Sequence, residues 1–356
     1  MSPPSSIRGE LEAAENAAEQ VRGLKALHRQ QATMSQLRAL VRAQSDTIEA
    51  LEEAAQLKAW LAESAGKPVR VPAGKRATKP RTTVVVAASD WHSAQIVNPN
   101  AVGGKNRHDP SIGQARAEKF ARDVAKRVRF QQGAFQLDDL VLWLGGDFMV
   151  GELHEIDSAR SCDMSPLEEV AFVSGLLEGV LRHLLAELDC PRIHVVCCWG
   201  NHGRTTEKPR SKSVHAYSYE QFLYVQLAKT FACEPRLSFD VSESAFKLID
   251  IAGFRIVAHH GDQRVVTGGG GIGGLAVPFR RVALTSILPT HAAQFFLIGH
   301  FHQYGMWDVG GVNGSLVGID EYAYNRGLRA ERPAQIMFQV DHESRRIGTV
   351  MPIWVD

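Results

Sequence analysis

Five times in this chain an apolar run stops and Asp, Asn or His takes its place. The five are Asp90-Trp91-His92 after RTTVVVAAS, Gly145-Gly146-Asp147 after LDDLVLWL, Gly200-Asn201-His202 after RIHVVCCW, His259-His260-Gly261-Asp262 after FRIVA, and Gly299-His300-Phe301-His302 after FFLI. Apolar runs of this length and content read as buried strands. Polar residues at strand ends project from one rim of a sheet, where open α/β proteins bind ligands. The i, i+2 spacing of Asp90 with His92, and of His300 with His302, aims each pair at one point if the chain stays extended. Glycines at 146, 200, 261 and 299 let the backbone turn close to that point. The donors are carboxylate, imidazole and amide, without cysteine. That set suits Mn, Fe, Zn, Mg or Ni and excludes a zinc–thiolate site.

The rest of the C-terminal three-quarters of the chain alternates in the same way. Helical periodicity falls at about 112–129 and 165–188, where Leu167, Val170, Val173, Leu176, Leu177, Val180 and Leu184 share a face. A further helix is expected at about 217–231 and short strands at 236–241 and 245–250. QIMFQVD and IGTVMPIWV read as a closing antiparallel pair. Early βα repeats followed by hairpins predict an α/β sandwich of two sheets flanked by helices.

The N-terminal part is different. Residues 8–65 read as one long helix, or two joined at Gly23. Leu27, Met34, Val41, Ile48 and Ala55 repeat every seven residues, and Leu37 and Leu51 complete an a/d seam that Gln30, Gln44 and Lys58 weaken. One apolar stripe on so long a helix needs a partner, and a homo-oligomer through residues 8–65 is the first expectation. Folding back on the chain's own second part is the alternative. The organisation expected is therefore a helical or coiled-coil segment over 1–66, a basic linker over 67–82 and a catalytic domain over 83–356. The linker holds six basic residues and no acidic one, but the whole chain has net charge +1, so any nucleic-acid contact must be local. Five cysteines without framework spacing fit a reducing compartment, and a cytoplasmic location is expected. No run reaches the roughly 20 apolar residues of a membrane span.

The motifs DWH, GGD, GNHG, HHGD and GHFH, in that order over roughly residues 83–305, resemble the calcineurin-like metallophosphoesterase superfamily pattern DxH, GD, GNH, H and GHxH. The resemblance implies a four-layered α/β/β/α domain with two divalent metal ions, Mn2+ foremost. It implies Asp90, His92 and His302 for one metal, Asn201, His260 and His300 for the other, and Asp147 as the bridge. His202 matches the histidine that protonates the leaving group or steadies the phosphoryl oxygens. The chemistry agrees, because two cations about 3.5–4 Å apart bind a phosphoryl oxygen and generate a hydroxide nucleophile. The chain departs from the family in placing Gly203 and Arg204 after GNH, where an acidic residue is common. Arg204 is expected to clamp a phosphate oxygen.

Other residues carry weaker expectations. His259 and His194 read as packing or structural histidines, Asp262 as orienting a ligand or capping a turn, and Trp91 and Trp199 as local packing. Asn106, Arg107 and His108 are candidate substrate contacts, whereas His154 and Glu155, after the Asp147 loop, read either as neighbours of the metals or as surface loop. The run TGGGGIGGL from Thr267 lacks the Lys-Ser/Thr of a P-loop and reads as a flap. For the substrate, the basic stretch 105–129, with eight Lys/Arg against three Asp/Glu, favours a nuclease acting on DNA, as in the superfamily's DNA repair exonuclease branch. A phosphatase or phosphodiesterase acting on a small molecule, nucleotide or phosphoprotein is the alternative, and an inactive oligomeric scaffold the third reading.

Overall fold

The computed structural model describes residues 5–64, 79–152, 161–189, 192–210, 212–262, 293–328 and 330–356. The chain divides into two compact units, Met1–Lys75 and Arg76–Asp356. In the first unit, helix α1 (Ser5–Ser64) runs 60 residues without a break. Gly23 does not interrupt it. One interior glycine costs about 1 kcal/mol against alanine, which is small beside a run of Ala, Glu, Leu, Gln and Arg. Val21, Leu24, Leu27, Met34, Leu37, Val41, Ile48 and Leu51 are all exposed on it.

The second unit is mixed α/β. Its elements are β1 (Arg81–Ala88), α2 (Pro110–Ala134), β2 (Gln136–Leu144), α3 (Pro166–Glu187), β3 (Arg192–Cys197), α4 (Tyr219–Thr230), β4 (Leu237–Asp240), β5 (Lys247–Ile251), β6 (Phe254–His259) and β7 (Phe295–Ile298). There follow β8 (Gly305–Met306), β9 (Gly310–Val312), α5 (Glu321–Asn325), β10 (Ala334–Gln335), β11 (Met337–Asp341), β12 (Arg346–Val350) and β13 (Ile353–Trp354). Strand β1 starts at Arg81, the first residue of the apolar run RTTVVVAAS, and its guanidinium pairs with Asp138 on the neighbouring strand. Both principal helices are capped as their sequences allow. Asp109 caps α2, and Ser165 with Glu168 forms a capping box on α3, each followed by Pro at the first helical position.

Two sheets result. The first has the order β12-β11-β1-β2-β3-β4, parallel from β1 to β4 and antiparallel at β11 and β12. The second has the order β5-β6-β7-β9-β8, with β6, β7 and β9 parallel. β10 and β13 pair separately, so the closing segments form two antiparallel pairs, not one.

Strand β1 explains the layering. Val84 and Val86 join the core shared with α2, α3 and α4, whereas Val85 and Ala87 join the core shared with the second sheet. Side chains of a strand alternate between faces, so a strand buried on both reads as an unbroken apolar run. Phe254, Ile256, Phe295 and Leu297 meet Val85, Val141 and Phe338 between the sheets. The described residues therefore give helices, sheet and sheet; the expected fourth layer falls on none of them. On α3, Val170, Val173, Leu177, Val180 and Leu184 are buried as the periodicity predicts, but Leu167 is exposed in the first turn, beyond the edge of the core.

Candidate metal centre

The carboxyl ends of β1, β2, β3, β6 and β7 gather the five motifs. Asp90 and His92 follow β1, Asp147 follows β2, Asn201 and His202 follow β3, His260 follows β6, and His300 and His302 follow β7. The local backbone is not extended as the i, i+2 spacing suggests. Asp90, His92, Asp147, His300 and His302 all have positive φ, between 37° and 69°. These five are the majority of the eight non-glycine residues in that region among the described residues. Such conformations persist where the surroundings over-determine them, and they cluster at functional sites. The turns are tight. A Cβ on Gly146 would collide with the backbone of Trp199 and Gly200, and one on Gly299 with the Asp90 carboxylate.

Three groups of side chains converge, each with ligand atoms within 4.8 Å of one another: Asp90, His92 and His302; His92, Asp147 and His202; and Asp147, His260 and His300. Asn201 joins the last, its Oδ1 lying 3.1 Å from His260 Nε2. All seven ligand residues expected from the sequence thus meet, and Asp147 stands in two of the groups. His202 sits beside them, its ring 4.6 Å from that of His92. Asp90, His92, Asp147 and His260 form a buried floor, whereas Asn201, His202, His300 and His302 are half-buried around it.

Backbone carbonyls fix the histidine tautomers. Nδ1 of His92 faces Met149 O at 3.0 Å, Nδ1 of His202 faces Val150 O at 2.7 Å, and Nδ1 of His260 faces Gly145 O at 2.7 Å. A carbonyl only accepts, so each Nδ1 carries the proton and Nε2 turns to the centre. There His92 Nε2 is 3.1 Å from His302 Nε2, and His260 Nε2 is 2.9 Å from Asp147 Oδ2. Burial pushes the His260 imidazole down, but the Asp147 carboxylate outweighs it and holds it well above the ordinary range. Burial likewise pushes Asp147 up, and the charges of His260 and His202 hold it well below the usual carboxylate range. His92 is depressed by burial and by His202 and His302, and His300 falls to about 3 through burial and His260. Both are neutral and ready to donate a lone pair. Burial raises Asp90 to about 7 against the opposing charge of His260.

Several supporting residues carried no signal in the sequence. Glu220 on α4, fully buried, accepts from Phe148 N–H and Gly200 N–H, both at 2.7 Å, and ties the Asp147 turn to the Asn201 turn. Glu169 on α3 accepts from Val150 N–H at 2.8 Å and Gly151 N–H at 2.9 Å. Behind Asp90, Ser89 donates to its carboxylate, and Asn313 and Gln335 enclose Ser89 in a buried network that also holds Trp91 Nε1. A lone Glu or Gln within a helix or strand is ordinarily solvated, and no spacing shows that it turns inward.

Other residues singled out in the sequence make the following contacts. The Arg204 guanidinium donates to the carbonyls of Asn201, Thr206 and Glu207, bracing its own loop. His108 is a correction: it is 1% exposed, with Nδ1 on Gln95 O, and contacts no open surface. Asn106 donates to the carbonyls of Val317 and Ile319, and Arg107 pairs with Asp109. His194 meets Ser238 Oγ, and His259 packs beside Phe246. The field of Asp262 reaches His260. His154, Glu155 and the glycine run from Thr267 lie outside the described residues. Among the described residues no helix is long and apolar enough to cross a membrane.

No protein-family model matches the chain, and no curated protein sequence matches it. Among solved structures, it is similar to a dimetal phosphatase from Danio rerio (LOC 393393), at 12% identity and a TM-score of 0.34 over 77% of this chain and 99% of that one. It is also similar to AQ665, a protein of unknown function from Aquifex aeolicus, at 12% identity and 0.26 over 70% and 94%. A hypothetical protein from Thermus thermophilus shows 8% identity and 0.28 over 76% and 97%. Likenesses at this level carry no argument about the chemistry here, which rests on the geometry of the strand-end cluster.

Proposed function

We propose that this chain is a phosphoester hydrolase that holds two divalent metal ions, Mn2+ foremost, with Fe, Zn, Mg or Ni as alternatives. One observation carries the reading. Around His260 Nε2, whose ring proton is engaged at Nδ1 by Gly145, stand the oxygens of Asp147 and Asn201 at 2.9 and 3.1 Å. The Asp147 carboxylate that draws a proton to His260 would draw a divalent cation in its place, with Asn201 as a further oxygen donor. Asp90, His92 and His302 would hold one ion, Asn201, His260 and His300 the other, and Asp147 both. Two such ions supply Lewis acidity towards a phosphoryl oxygen and a nucleophile at neutral pH.

The chain's own groups do the rest. The neutral Asn201 and the histidines leave the centre electropositive for an anionic ester. His202, half-buried at the rim with Nδ1 on Val150 O, turns Nε2 towards a leaving oxygen and can give it a proton. Arg204 holds the carbonyl of Asn201 and with it the turn that carries His202.

The substrate we favour is a DNA phosphodiester. Supporting this, Lys208, Arg210 and Lys212 follow the His202 turn with only Glu207 to offset them. One observation favours the alternative, an ester of a small molecule, nucleotide or phosphoprotein. On α2, Arg116 binds the carbonyls of Leu316 and Val317, Lys119 pairs with Asp123, Arg122 with Glu118, and Arg129 with Glu187. Four of the six Lys and Arg side chains of α2 are thus engaged within the protein. Metal-supplemented assays on single-stranded DNA, duplex DNA and bis-p-nitrophenyl phosphate test both readings. Metal-dependent turnover of DNA is expected, with binding that weakens steeply as salt rises. Turnover of the small ester alone would reverse the substrate order, and no turnover with any metal would sink the hydrolase.

A further inference from the structure

Strand β2 leads into a turn, Asp147–Gly151, that does more than present a carboxylate. Its carbonyls at Met149 and Val150 receive the Nδ1 protons of His92 and His202. Its amides at Val150 and Gly151 are held by Glu169. Gly151 fits because a Cβ there would collide with the carbonyl of His202.

The peptide between Val150 and Gly151 joins two of these bonds. Its N–H, on Gly151, donates to Glu169 Oε2 at 2.9 Å, and its C=O, on Val150, receives the His202 imidazole at 2.7 Å. A hydrogen bond at one end of an amide polarises the other, and an ionised acceptor strengthens the effect. Glu169 is 1% exposed. Burial pushes the Glu169 carboxyl up, and the Val150 and Gly151 N–H groups oppose it; the Cys162 thiol nearby, which burial and the Glu169 charge push up to about 12, stays protonated and faces Met164 O at 3.6 Å.

We infer that Glu169 is a positioning residue for His202, acting through the Val150–Gly151 peptide in the way a carboxylate orients an imidazole directly. The inference rests on the proposed role of His202 as proton donor. With the Val150 carbonyl polarised, His202 keeps its proton on Nδ1 and its Nε2 towards the rim. In turnover the protonated ring gives its Nε2 proton to the leaving oxygen and becomes the neutral Nδ1–H tautomer. Solvent then restores the Nε2 proton. Glu169→Gln removes the charge and sets an amide N–H against one of the two backbone N–H groups, so the peptide turns and the tautomer loosens.

Two measurements on the full-length chain test this. In the first, ring nitrogens are read by NMR on the 15N-histidine chain with Zn2+ added, and His202 is assigned by its loss in His202→Ala. Wild type should show neutral His202 as the Nδ1–H tautomer, and Glu169→Gln a mixture with Nε2–H. An unchanged tautomer would overturn the inference whether or not any ester is cleaved. In the second, kcat and metal content are compared for an alkyl phosphodiester and for bis-p-nitrophenyl phosphate. Glu169→Gln should lose about 10- to 100-fold on the alkyl ester, the scale of lost outer-shell support. It should lose under about threefold on the aryl ester, whose leaving group hardly needs a proton, and retain its metal. In a His202→Ala background it should cost nothing further. Equal losses on both esters, or losses that add to those of His202→Ala, would overturn the inference and leave the hydrolase standing. If wild type turns over neither ester, the hydrolase reading fails and the tautomer decides the relay alone. Should Glu169→Gln not fold, Glu169→Asp keeps the charge, shortens the reach and carries the same comparisons.

Discussion

Asp147 shows how far single residues can be read. Its Oδ1 accepts His202 N–H at 2.8 Å while Oδ2 meets His260, so one carboxylate touches both halves of the centre. Asp147→Asn keeps the shape and replaces one oxygen by a donor. It should leave the circular-dichroism spectrum and urea midpoint near wild type and abolish hydrolysis; full metal occupancy with wild-type turnover would count against the bridging role. His202→Ala should keep both metals and slow hydrolysis of a poor leaving group by about 10²–10⁴-fold. Uniform slowing together with lost metal would instead mark His202 as a ligand, which its place in the group with His92 and Asp147 makes the alternative to test. The candidate ligand residues were legible because each ends an apolar run. His108 was misread, because a histidine in a polar loop looks exposed. It is buried with Nε2 unpartnered among the described residues, and burial, helped by Arg116, lowers it to about 4 against a raising field from Asp109 and its bond to Gln95 O. Its folded value lies below the ordinary one, so its contribution is complete above about pH 6.5 and is lost as pH falls towards 4. The loss amounts to roughly 3 kcal/mol. His108→Leu should be somewhat less stable at pH 7, where Gln95 O loses its donor, yet its urea midpoint should fall less than wild type between pH 7 and 5. Parallel declines would show that His108 does not titrate in this range.

At the scale of elements, apolar runs and caps located most strands and helices. They could not show how strands end. A period of two describes a strand, not the left-handed turn that follows it, so the extended geometry expected for Asp90/His92 and His300/His302 gave way to positive φ at all four residues. The glycines did announce close approach. Gly146, with φ 86°, lies against the Trp199–Gly200 backbone, where a side chain has neither the conformation nor the space. Gly146→Ala should therefore separate the Asp147 and Asn201 turns and cost about 1–3 kcal/mol in stability. Metal affinity should fall with it. Gly179→Ala on α3, with nothing within 4 Å of the added Cβ, is the control and should be neutral or slightly stabilising. Equal midpoints for the two variants would remove the argument from close approach.

The molecule as a whole joins two units built on different principles. The second buries apolar surface on both faces of its first sheet, whereas α1 carries a stripe it cannot bury alone. Sixty residues of helix extend about 90 Å at 1.5 Å per residue. A single helix of that kind draws little stability from propensity, and most comes from packing an apolar face. Leu27, Met34, Val41 and Ile48 recur at seven-residue spacing, Leu37 and Leu51 stand three residues after Met34 and Ile48, and all six are exposed. A strict seven-residue repeat suits a left-handed supercoil with a second copy, whereas helices packed on a globular core need a wider apolar face. We therefore expect α1 to associate with α1 of another chain. Charged d-series positions such as Lys58 weaken the seam without removing it. Light scattering should find the full chain at a higher subunit number than a chain beginning at Arg76, the boundary between the compact units. Replacing Val41 and Ile48 by Asp should have the same effect without shortening the chain, since two charges at a positions disrupt the seam but leave the metal ligands untouched. Turnover per centre on a small ester should stay within about twofold, because no ligand or rim residue named above comes from α1. An unchanged subunit number in both variants would refute the seam. A subunit number that falls only on truncation would place the contact elsewhere in residues 1–75.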